Sequence, residues 1–184
     1  MNVAAATDPL FHHGGGITAA AARYPLAPAP WLDLSTGISP WAYPFDEIAP
    51  EIWQRLPSGA DVTELEAAAA NAFGGVNPDH IVAVPGTDFA IRLLAALLPN
   101  PRVGIAGPTY GGYQSAWPDA KIVPFAKACG ADLLICANPN NPDGAVVPKT
   151  QLQRLRNIRI VDEAFADTVP DQSLLPHRNG AIVL

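Results

Sequence analysis

Four short stretches carry side chains whose types and spacing could do chemistry. In I-R-I-V-D-E-A-F (Ile158–Phe165), Asp162 ends an apolar, strand-like run. A carboxylate so placed needs a partner, because burying a bare charge is costly. A protonated ring nitrogen, an arginine or a helix N-terminus would each serve. In N-P-N-N-P-D-G (138–144), each proline fixes its own φ and pushes the asparagine before it out of the helical region. The segment is a stiff loop carrying an amide off the end of L-L-I-C-A, or else a plain Asn/Pro/Gly turn. In V-P-G-T-D-F-A-I (Val84–Ile91), Gly86 lets the backbone approach closely, and Thr87-Asp88 opens a helix whose N–H groups favour an anion. The alternative is that Thr87 or Asp88 only caps that helix. Since Asp88 would repel a phosphate, contacts there would come from backbone N–H groups and the Thr87 hydroxyl. In G-P-T-Y-G-G-Y (Gly107–Tyr113), Tyr110 could stack on a flat ring or simply pack.

Positioning these residues requires a regular frame, and the sequence supplies one. H-I-V-A-V (His80–Val84), R-V-G-I-A, K-I-V-P-F, L-L-I-C-A, I-R-I-V-D and the closing A-I-V-L are short apolar runs that predict strands. D-V-T-E-L-E-A-A-A-A-N-A-F-G-G predicts a helix with its cap at Asp61 or Thr63 and a glycine stop. Asp88–Leu98 has apolar residues at i, i+3, i+4 spacing, and P-K-T-Q-L-Q-R-L-R-N predicts a further helix. Strands and helices that alternate, with continuously apolar strands, imply an α/β fold with a mostly parallel sheet. In such sheets ligands bind beyond the carboxyl ends of the strands, which is where all four stretches fall. Residues 1–45 have no long periodic segment and read as an arm that packs on something else; residues 46–184 carry the α/β pattern.

Bulk composition narrows the function classes. The chain has 184 residues, 49% hydrophobic and 15% charged, with net charge −6 and a pI near 5.0. It has no basic block, so nucleic acid is not an expected partner. No apolar run is long enough for a membrane span, and the N-terminus lacks a basic signal-peptide region. Cys129 and Cys136 match no metal-ligand spacing and read as free thiols in a reducing cytoplasm.

Taken in order, G-T-D, P-T-Y, N-P-N-N-P-x-G and D-E-A-F resemble the large domain of fold-type I pyridoxal-phosphate enzymes, the aspartate aminotransferase superfamily. The resemblance implies a three-layer αβα large domain, of which residues 46–184 form the first part, and pyridoxal 5'-phosphate as cofactor. It also implies roles for the residues. The backbone around Gly86, Thr87 and Asp88 would hold the cofactor phosphate, and Tyr110 would stack on the pyridine ring. Asn141 would hydrogen-bond the ring's phenolic oxygen, and Asp162 would pair with the pyridinium nitrogen and keep it protonated.

Three features resemble one branch, the threonine-phosphate decarboxylases of cobalamin synthesis. His13-Gly14-Gly15 followed by L-D-L-S-T-G-I-S-P is similar to their N-terminal arm, so that His13, Gly14, Gly15, Gly37 and Ile38 would help shape the substrate pocket. Ser39 stands where that branch often has Asn. Phe165 stands where histidinol-phosphate aminotransferases have Tyr, and Leu56 where they have the Tyr of R-Y-P. The implied reaction is decarboxylation of L-threonine O-3-phosphate to 1-amino-2-propanol O-2-phosphate, in a cytoplasmic homodimer. The alternatives are part of a histidinol-phosphate-type aminotransferase and a lysine-free binding module. The family's Schiff-base lysine follows a later strand than any here, and Lys121, Lys127 and Lys149 lie in no such context. No catalytic residue is therefore assigned, the rest of the large domain and the small domain are expected to lie outside this sequence, and no turnover is expected of the chain as given.

Overall fold

The computed structural model describes residues 14–39, 41–98 and 102–184, and the chain divides into two compact units, Met1–Glu51 and Ile52–Leu184. Among its described residues the first unit holds helix α1 (Ile17–Arg23) and the start of a 3-10 turn at Pro50–Gln54. Its two glycine-bearing stretches meet. The Gly15 N–H donates to the Ser35 hydroxyl at 2.9 Å, and that hydroxyl donates to Asp33 Oδ1 at 2.5 Å. A Cβ on Gly14 would lie 2.0 Å from the Ser35 carbonyl oxygen, so only glycine fits against that backbone. His13 lies outside the described residues.

The second unit begins with helix α2 (Gly59–Ala72). Its cap is Ser58, not the expected Asp61 or Thr63. Ser58 Oγ accepts from the Asp61 N–H at 3.2 Å while the Asp61 carboxylate accepts from the Ser58 N–H at 2.6 Å. This reciprocal pair satisfies two orphan donors at once, which moves the start of the helix upstream and leaves Asp61 in its first turn. Helix α3 (Thr87–Leu97) follows the Gly86 turn, and its buried side is marked by Ala90 and Ile91.

Five strands form one sheet: β1 (Val103–Ala106), β2 (Lys121–Val123), β3 (Leu133–Ala137), β4 (Ile158–Asp162) and β5 (Ile182–Val183). Their order is β2-β1-β3-β4-β5, and every pairing is parallel. Helices α4 (Gly111–Ala116), α5 (Phe125–Ala128) and α6 (Lys149–Arg154) supply the crossovers. The predicted strand at His80–Val84 does not form. His80 closes a 3-10 turn, and the run that follows pairs with no described strand. Ala83 gives its N–H to the Glu66 carboxylate at 2.9 Å instead. Ile81 has extended dihedrals, but a strand also needs a neighbour to pair with.

Period-two alternation sorts the strand residues onto two faces. Ile105, Leu133, Ile135, Ala137 and Ile160 pack with Ile91, Tyr113 and Trp117 of and beside α3 and α4. Ala106, Leu134, Cys136 and Val161 pack with Ala128 of α5 and Leu152 of α6. All five residues of β3 are buried, as a strand covered on both sides requires. Burial pushes the Cys136 thiol up to about 12, so it is an inert packing group. Arg159 is 3% exposed, and its guanidinium donates to the carbonyls of Leu155, Asn157 and Asn179, closing the end of α6 onto β4. From β1 the chain steps outward to β2 and then returns past β1 to β3. That reversal opens a crevice between the carboxyl ends of β1 and β3.

Candidate active site

Asp162 is the last residue of β4 and lies opposite Ala137, the last of β3. The alternation that turns Ile160 toward α3 and α4 turns Asp162 the same way. Its carboxylate is 7% exposed. Oδ2 accepts from the Tyr113 hydroxyl at 2.8 Å, and Oδ1 accepts from the Ala164 N–H at 3.0 Å. No lysine, arginine or histidine among the described residues pairs with it. This carboxylate is held by neutral donors only, in a setting where a charge calls for a cation.

It opens onto a cavity of about 230 Å³ lined by Thr87, Asp88, Tyr110, Tyr113, Asn141 and Asp162, together with Ile91, Ala137, Ala164 and Phe165. Five of the residues predicted from the sequence, Thr87, Asp88, Tyr110, Asn141 and Asp162, are thus brought together, and Gly86 adjoins them as the residue before α3. The cavity belongs wholly to the second unit, whereas Gly14, Gly15, Gly37 and Ile38 belong to the first. A larger cavity, about 840 Å³, lies near the amino ends of β1 and β2 and contains none of these groups.

Each wall has a local cause. Gly86 has φ +91, a conformation that side chains rarely adopt, and it offers α3 no side-chain cap. The first N–H groups of an eleven-residue helix therefore face outward without a cap. Asp88 is engaged sideways by Arg92 Nε at 2.9 Å and receives a long contact of 3.5 Å from the Tyr110 hydroxyl. Burial, and then the Asp88 charge, raises the Tyr110 phenol above its ordinary value. The Tyr110 and Tyr113 rings meet edge to face, with centroids 5.5 Å apart.

The Asn/Pro loop divides its labour among three amides. Asn138, 2% exposed, bonds both ways with the Val147 backbone: its Nδ2 donates to the carbonyl at 3.0 Å, and its Oδ1 accepts from the N–H at 2.8 Å. Asn140 donates to the Pro108 carbonyl at 2.9 Å and so ties this loop to the one carrying Tyr110. Asn141 has no hydrogen-bond partner among the described residues and faces the cavity. Sequence reasoning missed Tyr113, although its spacing of three from Tyr110 across a helix start was the available signal.

A parallel α/β sheet with such a cavity at its topological reversal is the usual setting of a small-molecule binding site. The sequence profile of Aminotransferase class I and II matches residues 52–182, and the chain belongs to that family. It is 40% identical to a threonine-phosphate decarboxylase from Sinorhizobium sp over 91% of this chain and 54% of the relative. It is 36% identical to a threonine-phosphate decarboxylase from Pseudomonas aeruginosa over 95% of this chain and 56% of the relative. The fold is similar to that of histidinol-phosphate aminotransferase from Sinorhizobium meliloti, solved in complex with pyridoxal-5'-phosphate, with a TM-score of 0.55 and 20% identity over 65% of this chain and 40% of that one. The chain spans about half the length of the curated relatives it matches.

Proposed function

We propose that this chain forms the cofactor-holding part of a pyridoxal-phosphate-dependent decarboxylase acting on L-threonine O-3-phosphate. The observation that carries the reading is Asp162: a buried carboxylate with neutral donors on both oxygens, no cation beside it among the described residues, and an open cavity before it. A protonated pyridine ring has the charge and the flat shape that this cavity lacks. When bound, such a ring supplies the electron sink for loss of a carboxylate.

The residues fit that group in kind. Asp162 accepts the ring nitrogen's proton in a hydrogen bond and, by its charge, keeps that proton in place. Tyr110, 40% exposed at the cavity rim, offers a ring face. Asn141 is the sole amide of the lining and donates to an anionic ring oxygen. The uncapped start of α3 and the Thr87 hydroxyl receive the phosphate, with Asp88 drawn aside by Arg92. Phe165 lines the cavity without a hydroxyl, leaving Asn141 alone in its task. Lys121, Lys127 and Lys149 are absent from the lining, so this chain holds its ligand without a covalent bond.

The substrate class is supported by the curated relatives at 36% and 40% identity and by Gly14 packed on Ser35, which joins the two arm segments that resemble the decarboxylases. The complete enzyme would act as a homodimer on a phosphorylated amino acid. Pyridoxamine 5'-phosphate, which forms no Schiff base, tests the site. Titration calorimetry should find binding by the wild-type chain and at least a tenfold weaker interaction for Asp162→Asn. Equal affinities, or no binding by the wild type, refute the assignment.

A further inference from the structure

We infer that Tyr113 is a positioning residue that acts through Asp162, fixing the carboxylate as an acceptor for a cationic ring nitrogen; the inference rests on the reading of Asp162 above. Tyr113 is 1% exposed and is the one buried side chain of α4 that ends in a polar atom. Its hydroxyl reaches across 49 residues of sequence to Asp162 Oδ2 at 2.8 Å, in the range of a good O–H···O bond. The ring belongs to the buried cluster that holds Ile91, Ile105, Trp117 and Ile135 and is braced edge-on by Tyr110, so the hydroxyl has little freedom to turn elsewhere.

Three consequences follow from the chemistry. Burial, and then the Asp162 charge, holds the Tyr113 phenol far above its ordinary value, so it stays a donor and does not take up or release a proton near neutrality. With the Ala164 N–H on Oδ1 and the Tyr113 hydroxyl on Oδ2, each oxygen of Asp162 has one occupied direction and the carboxylate plane cannot swing. Held in that plane, the carboxylate keeps its remaining lone pairs toward the cavity, where a ring-nitrogen proton would meet them. Tyr110 and Tyr113 therefore have separate duties: one offers a face to the ligand, and the other acts on it through Asp162.

Tyr113→Phe keeps the packing volume and removes only the hydroxyl. Two ligands separate a positioning role from a merely structural one: pyridoxamine 5'-phosphate and its carbocyclic analogue, in which the ring nitrogen is replaced by CH. The wild-type chain should prefer the pyridine ligand. The variant should bind it about tenfold more weakly, the scale of one hydrogen bond to a charged group, while binding the carbocycle as before. The near-ultraviolet band of bound pyridoxamine 5'-phosphate, which follows protonation of the ring nitrogen, should shift toward the unprotonated form. In an Asp162→Asn background, Tyr113→Phe should add no further loss, a comparison that removes any general effect on folding. Equal weakening toward both ligands, or an undiminished preference for the pyridine, overturns the role of Tyr113. Absence of the preference in the wild type overturns the reading of Asp162 itself.

Discussion

Asn138 is the anchor of the loop that presents Asn141, and its removal tests how that loop is held. The side chain is 2% exposed and satisfies both backbone groups of Val147, at 3.0 Å and 2.8 Å. Asn138→Ala deletes both bonds. Each contributes about 0.5–1.5 kcal/mol net, and a buried group left unpaired costs about 1–3 kcal/mol. Val147 is only half-buried, so water recovers part of this, and the loss should be about 2–3 kcal/mol. Against a total stability of roughly 5–15 kcal/mol, that is a readily measured drop. Asn138→Asp refines the argument. One carboxylate oxygen still accepts from the Val147 N–H, but the other now faces the Val147 carbonyl with no proton to offer. Burial and that carbonyl both disfavour the charged form, so the new carboxyl's folded-state pKa lies above its unfolded value of about 3.9. The deficit is then full above the folded-state value and shrinks as pH falls through it, because the protonated carboxyl can donate as the amide did. Urea denaturation of the three proteins between pH 4 and pH 7 is the assay. An alanine variant within about 0.5 kcal/mol of wild type, or an aspartate deficit that is flat with pH, refutes the reasoning.

Two further outcomes follow from the frame. Arg159→Met keeps the apolar stem but strips donors from the carbonyls of Leu155, Asn157 and Asn179; it should lower the unfolding free energy by about 2–4 kcal/mol, measured by the same denaturation. Asp61 is held well below the usual carboxylate range, first by Arg55 and then by the Ser58 N–H and hydroxyl. Its contribution is therefore present above the unfolded value of about 3.9 and lost as pH falls further, so amide protection in the first turn of α2, relative to the unstructured rate at each pH, should drop in acid in the wild type, and this acid step should be missing from Asp61→Asn.

Much of the frame was legible because local pattern and burial agree. β1, β3 and β4 are apolar on both faces, and the sheet covers both. The run Ile81–Val84 carries the same signal and fails, since pairing depends on a neighbour that composition does not reveal. The start of α2 was misplaced because the serine–aspartate reciprocity at Ser58 and Asp61 outweighs either residue's own capping preference. At the site, Asp162, Asn141 and Tyr110 stood out by their place at strand ends. Tyr113 and Asn140 did not, because what they do lies in contacts across 49 and 32 residues of sequence, and Asn138 did not because its partner is the Val147 backbone, which no side-chain pattern marks.

The reversal of strand order between β1 and β3 also bears on how the chain matures. Thr87, Tyr110, Asn141 and Asp162 are contributed by four successive segments, and Asp162 joins the other three only where β4 pairs beside β3. A chain in which β4 is not docked therefore lacks the carboxylate wall of the pocket, and full ligand affinity is a property of the finished sheet. Any molecule that fills the cavity binds the native state and not its precursors, so at a hundredfold excess over its dissociation constant it would shift the folding equilibrium by about 2.7 kcal/mol. The occupant of this site would thus act as a late-acting folding aid, and supply of that small molecule would help set how much of the protein persists.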